Sequence, residues 1–470
     1  MANLTTYNAL LKEFYGNFEV EVQINNEANV TQLFEKSTME WGGRQLVCPV
    51  HVGRNTGVAN IPDGGALPTA GNQVYADLIL TAETIVGRAQ ISTKLMKSAA
   101  ARGPRAFLGY MQGEINKLKD DVVNLADQRM ISGGRFKGLF NEHKAFTDSV
   151  SNVYAGAGSV VQVQEYNGDF TPFLNVAAGN VNTWVRIQLY NMADYAEIAT
   201  SGTNVSEGLF VSAIDQTART ITTRLIGYTA AAYVADTTMS SLPAAQTVSN
   251  VGYGVAVALH ATQLQTDDAV PVNIGTITSF ADEQNGILGN LCDPTHFNVD
   301  RTTATATNAL LQSIIFTQAT AAAAGNARAN ITPARIMRTQ DEVALLGGKG
   351  TDCIILNPIM RSAYTGVLTA TLEMQVKGKQ TVGDMVPSKV EAFGQSLKTS
   401  QHCPVGLWFL LDSKTWKLCE LARGDWMSED GAILSRVSGF AAYEAVYEWH
   451  WNLLCKVPHC NAILCGMNIT

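Results

Sequence analysis

Residues 44–93 constrain the fold of this chain more than any other segment. Two β-rich runs with alternating apolar and polar residues flank a stretch in which glycine and proline recur. This pattern predicts one long β-hairpin. With arms of about 17 residues and about 3.3 Å per residue, the hairpin would reach ~55 Å. Because a two-stranded ribbon is marginally stable alone in water, it must lie on its own body or on a neighbour.

A long amphipathic helix is predicted directly after the hairpin. Pro104 is a favourable first helical residue, and the glycines at 133 and 134 stop the helix. A helix from about residue 105 to 131 would be ~40 Å long. Its apolar residues recur at steps of three and four and predict a single stripe, made of Leu108, Met111, Ile115, Leu118, Val122 and Leu125.

Composition and charge exclude several classes of protein. Hydrophobic residues make up 46% of the chain and charged residues 16%, which is the opposite of a disordered composition. With 33 Lys and Arg against 41 Asp and Glu, the net charge is −8, and a protein that wraps nucleic acid is not expected. No apolar run approaches the ~18 residues of a membrane span, and the N-terminus does not resemble a secretory signal. The eight cysteines are therefore expected to be reduced thiols in a cytoplasmic product.

Charge is distributed unevenly along the chain. Residues 1–43 are acidic and have no sustained helical stripe, so we expect an arm that needs a partner surface. Residues 94–144 carry ten cations against five acids. Such a segment allows a weak, salt-sensitive contact with nucleic acid but not sequence-specific readout.

The remaining segments predict a mixed α+β fold. Residues 150–280 are rich in Thr, Val, Ala and Gly and read as a β-rich inserted region, with strands at 184–190, 209–214 and 220–226. A helix is predicted over 334–346, and a short buried strand follows it before Pro358. Residues 405–470 alternate strongly and predict a set of closing strands.

Four short patterns resemble catalytic or metal-binding motifs, and each is better explained as a structural feature. The segment GGKGT at 347–351 follows a helix, whereas a phosphate-binding loop follows a strand, so it reads as a helix end. Cys455, Cys460 and Cys465 lack the paired spacing of zinc ligands and are expected to be buried free thiols. The neighbours His402 and Cys403 are too close in sequence to favour a nucleophile–base pair. The pair Asp120-Asp121 is interpreted as part of a helix face that contacts solvent or another subunit. Together these patterns predict no enzyme activity, no cofactor and no metal.

Several short segments, taken in order, resemble the major capsid proteins of tailed bacteriophages. The segments at 43–50, 53–57, 62–68 and 87–91 (GRQLVCPV, GRNTG, PDGGALP and GRAQI) resemble the extended-loop region of that family. The same holds for later segments at 297–301, 331–334, 352–358, 451–458 and 461–464. Each motif alone is weak, and their order and spacing carry the resemblance.

The resemblance implies the Hong Kong 97-type capsid fold, which is α+β. It assigns an N-arm to 1–43, an E-loop hairpin to 44–93 and a P-domain spine-helix region to 94–150. P-domain strands with a β-rich insertion would occupy 151–284, an A-domain-like part 285–404, and closing strands of the A- and P-domains 405–470. The apolar stripe from Leu108 to Leu125 would then lie on the spine helix. The E-loop tip that would contact a neighbouring subunit comprises Ile61, Pro62, Asp63, Gly64, Gly65, Leu67, Pro68 and Gly71.

The implied function is that of a shell subunit. Family members form hexamers and pentamers that enclose packaged double-stranded DNA in an icosahedral virion shell, which is assembled in the host cytoplasm. A portal protein is an implied partner, a membrane is not, and the presence of a decoration protein stays open. A separate scaffolding protein is expected, because the loop begins near residue 44 and leaves no room for a fused scaffolding segment.

Some members of the family join their shells covalently through a lysine of the extended loop. Between Lys36 and Lys94 this chain has no lysine, so we expect a shell without that cross-link. Two alternatives stay open: an encapsulin-like cargo shell of the same fold, and another structural protein of a virion.

Overall fold

The computed structural model describes residues 30, 33–37, 39, 41, 43–63, 65–94, 104–140, 162–177, 183–192, 195, 197, 206–229, 232–235, 254–259, 283–302, 311–317, 331–347, 350–371, 391–392, 395–428 and 435–467. No helix within these ranges is long and apolar enough to cross a membrane.

The architecture is mixed α+β, as predicted. The helices are α1 (Pro104–Ser132), α2 (Ile287–Cys292), α3 (Pro333–Gly347) and α4 (Pro358–Thr371). The strands are β1 (Glu35–Lys36), β2 (Leu46–Gly53), β3 (Val74–Leu80), β4 (Glu83–Ser92), β5 (Phe136–Phe140), β6 (Gln162–Gly168), β7 (Val185–Asn191), β8 (Ser206–Asp215), β9 (Thr220–Thr229), β10 (Ala232–Ala235), β11 (Val255–Leu259), β12 (Thr295–His296), β13 (Val299–Asp300), β14 (Ile314–Thr317), β15 (Cys353–Leu356), β16 (Glu391–Ala392), β17 (Gln395–Thr399), β18 (Trp408–Leu411), β19 (Trp416–Trp426), β20 (Ser435–Arg436), β21 (Ala442–Cys455) and β22 (Ala462–Cys465).

The predicted hairpin is present, but it is shorter than expected. β2 and β3 pair antiparallel from Leu46 opposite Leu80 to Gly53 opposite Val74. The rest of the predicted second arm forms β4, which leaves the hairpin and pairs with β21 in the body. The prediction of one hairpin over residues 44–93 is therefore wrong. Pairing with β21 buries Ile85 and Ile91 of β4, which a free ribbon would expose to water.

β21 is the centre of a five-stranded sheet. β4 pairs with one edge of β21. β19 and β20 pair with different parts of its other edge, and β1 lies parallel beside β19. Because side chains alternate along a strand, every second residue of β21 points to the same face. On that face Tyr447, Trp449, Trp451, Leu453 and Cys455 enter the main hydrophobic core.

Helix α1 packs closely on this sheet at Gly87 of β4. A Cβ atom at Gly87 would lie 2.7 Å from Cγ2 of Val122 and 3.1 Å from Cδ1 of Leu118. The absence of a side chain at this position therefore sets how near the helix can come. The helix ends at Ser132, as the sequence predicts, and Gly134 then takes a left-handed φ of +79°.

Six strands of the middle region form a closed antiparallel sheet. The order is β9-β6-β5-β11-β7-β8, and β8 pairs with β9 again to close the ring, while β10 adds to β9 outside it. The sequence predicted three of these strands, but not the closure. The interior is filled by Phe140, Tyr166, Phe173, Val185, Ile187, Leu189, Leu209, Val211, Ile221, Val255, Val257 and Leu259.

The last part of the chain builds a six-stranded sheet in the order β14-β22-β18-β15-β17-β16. Both of its faces are buried, and alternate residues divide between two cores. Ile354 and Leu410 pack towards Ile336 of α3 and Met360 of α4, whereas Ile355 on the opposite face belongs to the main core. The helix predicted after Thr332 and the buried strand predicted before Pro358 are both confirmed.

Part of the acidic arm is buried by its own chain. Val30 and Phe34 belong to the main core, and β1 pairs with β19. The expectation that all of residues 1–43 needs a partner surface is therefore wrong for this part, because apolar side chains in the arm fill space over α1 and Trp416. The arm before residue 30 lies outside the described residues.

Two buried ion pairs involve the closed sheet, and one of them joins it to the segment ahead of α2. The Nζ of Lys137 on β5 lies 2.8 Å from the Glu283 carboxylate, ahead of α2. Arg219, in the β8–β9 turn, lies 3.0 Å from Glu165 and also donates to the carbonyl oxygen of Met467. Breaking such a pair leaves an uncompensated buried charge. The Lys137–Glu283 pair and the hydrogen bond from Arg219 to Met467 therefore hold the closed sheet to the rest of the chain.

The close approach at Gly87 gives a testable prediction. Gly87→Ala should lower the free energy of unfolding by about 1–3 kcal/mol, because the added methyl group collides with Val122. Gly366→Ala is the matched control: it lies in α4, where an added Cβ meets nothing within 4 Å, and it should stabilise by about 0.5–1 kcal/mol. Urea denaturation of the purified chain measures both, and a Gly87→Ala variant as stable as the parent would contradict the packing.

Stability should also fall in mild acid through His296. This residue is fully buried and donates from Nε2 to the Cys455 carbonyl at 2.9 Å; burial first, and the Arg301 charge second, hold its pKa well below the usual range. Below about pH 6.5 the unfolded chain binds a proton here that the folded chain does not. The free energy of unfolding should therefore decrease by up to about 1.4 kcal/mol per pH unit as the pH falls towards the folded pKa.

The variant His296→Gln tests this assignment, since its amide can still donate to the carbonyl oxygen but does not titrate. Urea denaturation at several pH values between about 7 and 5 should give a shallower pH dependence for the variant. An unchanged slope would show that His296 is not the group responsible.

Candidate functional site: the projecting hairpin

The base of the hairpin packs on the body through a small separate core. On the inward face, Leu46, Cys48, Leu78 and Leu80 are buried. They meet residues from the arm, from the segment after α2 and from the central sheet, namely Met39, Trp41, Phe297, Val299, Cys419 and Leu454. The hairpin is therefore anchored at one end by its own chain.

The arm forms a strap over this anchor, made of residues 33–37, 39 and 41. At its start the buried Asp127 carboxylate of α1 accepts the N–H of Val30 at 2.8 Å. At its end the Trp41 indole N–H donates to the Glu420 carbonyl at 3.0 Å. Between these points Lys36 pairs with the Glu420 carboxylate at 2.5 Å. Glu35 pairs with Lys417, whose hydrogen bond and then whose charge lower the pKa of Glu35. The strap thus connects α1, β19 and the hairpin base.

Beyond the ladder the two arms of the hairpin meet again at a pair of glycines. A Cβ on Gly57 would lie 2.7 Å from the backbone nitrogen of Gly71, and the reverse distance is the same. The side chain of Asn55 accepts the N–H of Gly57 at 2.7 Å and fills the remaining space. This narrow waist closes off the outermost loop, residues 58–70.

A β-turn lies within the outermost loop. The N–H of Gly65 donates to the Pro62 carbonyl at 2.9 Å, as expected for a turn built on proline and glycine. Of the predicted tip residues, Pro62, Asp63, Gly65, Leu67, Pro68 and Gly71 lie in or beside this loop together with Ile61, whereas Gly64 lies outside the described residues.

The tip exposes apolar side chains that its own chain does not cover. Leu67 is 83% exposed and Val58 is 84% exposed, and Tyr75 at the start of the ladder is 64% exposed. Ile61 and Val74 are also largely exposed. The sequence analysis selected Ile61 and Leu67 but missed the other three. The alternation in β3 was the signal that could have found Tyr75, since residues opposite the buried face of Leu78 and Leu80 point outward. It could not have found Val74, which has the parity of the buried residues.

The predicted stripe on α1 is only partly directed at the body. The helical backbone includes Leu108, Met111 and Ile115, whose side chains lie outside the described residues. Val122 is buried and Leu118 partly so, whereas Leu125 is 37% exposed. The buried face continues through Ala126 and Met130 instead.

The helical repeat explains this rotation. The predicted stripe advances 17 residues in five steps from Leu108 to Leu125. On average, a step therefore falls about 20° short of a full helical turn. The stripe therefore winds about 100° around the helix over its length. Leu125 consequently lies on a different side of α1 from the residues at its start.

None of the candidate chemical groups forms a catalytic or metal site among the described residues. His402 interacts through Nε2 with the Asn124 side chain at 2.8 Å, and burial lowers its pKa. The Cys403 thiol faces the carbonyl oxygens of Pro404 and Leu407, and burial raises its pKa. A thiol that stays protonated beside carbonyl groups is not a nucleophile.

The eight cysteines are all buried and their thiols are free. Burial was predicted for Cys455, Cys460 and Cys465, and free thiols for all eight. Burial raises the pKa of Cys455 and that of Cys465 to about 12. Cys460 lies against Gly347, where α3 ends, as predicted for the start of the segment at 347–351. Residues 348–349 lie outside the described residues. No group of three or more potential metal ligands occurs in the part of the chain that the structure describes.

Comparisons with known proteins give structural similarity alone. No protein-family model and no curated protein matches the chain. The structure is similar to the capsid asymmetric unit of cyanophage A-1(L), with a TM-score of 0.49 and 10% identity over 99% of each chain. It is also similar to the capsid of a native GTA particle, with a TM-score of 0.47 and 8% identity over 100% of this chain and 99% of the other.

A holo-encapsulin complex from Synechococcus elongatus PCC 7942 is similar at a TM-score of 0.40 and 7% identity, over 100% of this chain and 97% of the other. Phage capsid proteins are thus among the structures that this chain is similar to. At these identities and TM-scores the likeness concerns the general arrangement, and the function has to be argued from the residues of this chain.

Proposed function

We propose that the chain is the major capsid protein of a tailed double-stranded DNA phage, which assembles as hexamers and pentamers into an icosahedral shell. The observation that carries this proposal is the projecting hairpin, anchored at its base and uncovered at its apolar tip. In an isolated subunit the apolar side chains of this projection are exposed to water, which is unfavourable.

Covering the tip by a neighbour is energetically favourable. Removing one leucine or valine side chain from water gains about 1.5–3 kcal/mol, and at least three exposed apolar residues crowd the tip. Each hairpin contact is modest on its own. In a closed shell every subunit both gives and receives such a contact, so the contacts act together as multivalent binding does.

The rigid construction of the tip supports its role as an inserting element. The glycine waist and the turn at Pro62 hold the loop in one conformation, which reduces the entropy lost on docking. In this proposal residues 44–93 are the E-loop, although only 46–80 form the hairpin, and α1 is the spine helix with its stripe. The N-arm is 1–43, the insertion lies in 151–284, the A-domain-like part is 285–404 and the closing strands are in 405–470.

The proposed partners follow from assembly around DNA. A separate scaffolding protein guides the shell in the host cytoplasm, and a portal protein occupies one vertex. The subunit makes at most weak, non-specific contact with DNA, since the net charge is −8. The proposed role is structural and requires no enzyme activity.

The tip makes the central prediction. Leu67→Asp should reduce the yield of closed shells at least about tenfold, because a loss of about 1.4 kcal/mol at each contact already changes an equilibrium by that factor. Leu67→Met is the matched control and should assemble normally, since it keeps an apolar side chain of similar volume. Negative-stain microscopy and sedimentation of the assembled fraction measure both.

Two further readouts separate assembly from folding. The unfolding midpoint of the unassembled subunit should be the same for both variants, because Leu67 is largely exposed. Deleting residues 62–69 should likewise abolish stable shells. Closed shells of normal stability from the Asp variant or from the deletion would refute the inter-subunit role of the tip.

The absence of lysine between residues 36 and 94 predicts how the shell is held together. Mature shells boiled in denaturant should release chains of 50.5 kDa on a gel rather than covalently linked rings. High-mass ladders that persist under reducing conditions would contradict a non-covalent shell.

The contents of purified particles distinguish the phage shell from an encapsulin-like compartment. A phage shell from infected cells should contain nuclease-protected double-stranded DNA. Particles that contain a cargo enzyme and no DNA would assign the chain to the alternative.

A further inference from the structure

Strand β4 has one open edge among the described residues. Its other edge pairs with β21 from Glu83 to Ser92, and no further strand of the described chain pairs with it. Helix α1 contacts β4 at Gly87, on a face of the sheet rather than along the open edge. An open edge presents a row of N–H and C=O groups, which is a template for an additional strand.

The hydrogen bonds of β21 show which residues of β4 face the open edge. The N–H of Thr93 donates to the Ala441 carbonyl at 2.9 Å, and on the other side of β21 the N–H of Met427 donates to the Val446 carbonyl at 2.9 Å. Because antiparallel pairs alternate, the odd-numbered residues of β4 bond to β21 and the even-numbered residues point away from it. The residues that direct their N–H and C=O groups to the open edge therefore include Thr84, Val86, Arg88 and Gln90.

The projecting hairpin protects its own open edge, whereas β4 does not. The N–H of Ile79 donates to the Phe297 carbonyl at 3.2 Å, away from β2, so Ile79 and its partner Val47 are a non-bonded pair. By the same alternation Pro49 faces the open edge of β2, where it has no N–H to offer. β4 contains no proline and no bulge in its pairing with β21. Its edge is therefore suited to pairing with another strand.

Residues 18–24 of the arm have the sequence pattern of such a strand. They read FEVEVQI, a strict alternation of apolar and polar residues. Alternation over seven residues predicts a strand with one buried face, and Val and Ile favour strands. This segment lies outside the described residues, which begin at Val30.

The two faces of this strand fit the two faces of β4. On the core side β4 presents buried apolar side chains such as Ile85, which the apolar residues of the segment would extend. On the opposite face Arg88 is 55% exposed and pairs with Glu444 of β21. A strand on the open edge would bring Glu19 and Glu21 to the other side of Arg88, and opposite charges on neighbouring strands stabilise a sheet.

The arm is long enough for the segment to reach β4 of its own chain. The N–H of Val30 is held by the Asp127 carboxylate of α1, and α1 packs on β4 where Val122 meets Gly87. From Ile24 to Val30 the extended chain spans ~20 Å. Helix α1 with its side chains is about 10–12 Å across, so the connection can pass around it.

We propose that residues 18–24 form a strand that pairs with the open edge of β4 in the same chain, with Glu19 and Glu21 on the face of Arg88. The central sheet then ends on a strand that is short and carries two carboxylates, which disfavours further pairing with other chains. The inference goes beyond the proposed capsid function and does not depend on it, since a single chain makes the contact.

Hydrogen exchange of the unassembled subunit, measured by mass spectrometry on peptides that cover residues 83–92, tests the pairing. In the wild type the even-numbered amides should exchange slowly. The double variant Glu21→Pro/Val22→Pro removes one backbone donor of each parity and disrupts pairing in either strand direction. We expect the even-numbered amides to exchange at least about tenfold faster in this variant. Ala2→Pro/Asn3→Pro is the matched control and should exchange as the wild type does.

Two results of this experiment would overturn the inference. Fast exchange of the even-numbered amides in the wild-type subunit would show an uncovered edge. Slow exchange that the double variant leaves unchanged would show that a different segment covers it.

A cross-link identifies which chain supplies the strand, in single subunits and in assembled particles alike. Glu21→Cys with Gln90→Cys places one thiol on each strand, and the eight native cysteines are buried. A short bis-maleimide should join the two thiols within one chain of 50.5 kDa, and each single variant is the control. Chains joined in pairs, or no link at all, would overturn the inference. A chain that forms no shells would refute the capsid function and leave this pairing intact.

Discussion

The pairing of β21 with strands on both of its edges holds this structure together. One edge takes β4 over ten residue pairs, from Ala442 with Ser92 to Trp451 with Glu83, and the other takes β19. The face that carries Trp449 and Trp451 packs into the core shared with α1 and the six-stranded sheet. Beyond the end of β4, the backbone of β21 is held by Asn290 of α2, which accepts from Cys455 and donates to Leu453. Helices α1 and α2 and strands β4, β19 and β20 thus all contact this strand.

The hairpin depends on that pairing. Because β4 is committed to β21, only β2 and β3 remain free to project, and the chain must leave the sheet at residues 81–82. The strap and the small core around Leu46 and Leu78 then fix the direction in which the hairpin leaves the body. The result is a rigid protrusion whose base is satisfied and whose tip is not, which is the arrangement that favours association over a free monomer.

The ion pairs of the closed sheet and those of the body differ in burial. In the closed sheet, Lys137 and Arg219 form buried ion pairs with Glu283 and Glu165. On the body, ion pairs such as Lys36 with Glu420 lie at the surface and are screened by salt, and many cations face solvent.

The sequence by itself determined the local structure. Pro104 and the glycines after Ser132 set the ends of α1, and alternation located β7, β8, β9, β15 and the closing strands, because these signals depend on neighbours within a few residues. It also located the exposed tip of the candidate site through its turn residues, although it did not identify Val58 or Tyr75. Only the tertiary structure decided that β4 leaves the hairpin, that Val30 and Phe34 of the arm are buried, that the middle strands close into a ring and that Leu125 turns away from the body. These outcomes depend on partners that are distant in sequence, as β4 and β21 are, and a local pattern states that a strand has a buried face without stating what covers it.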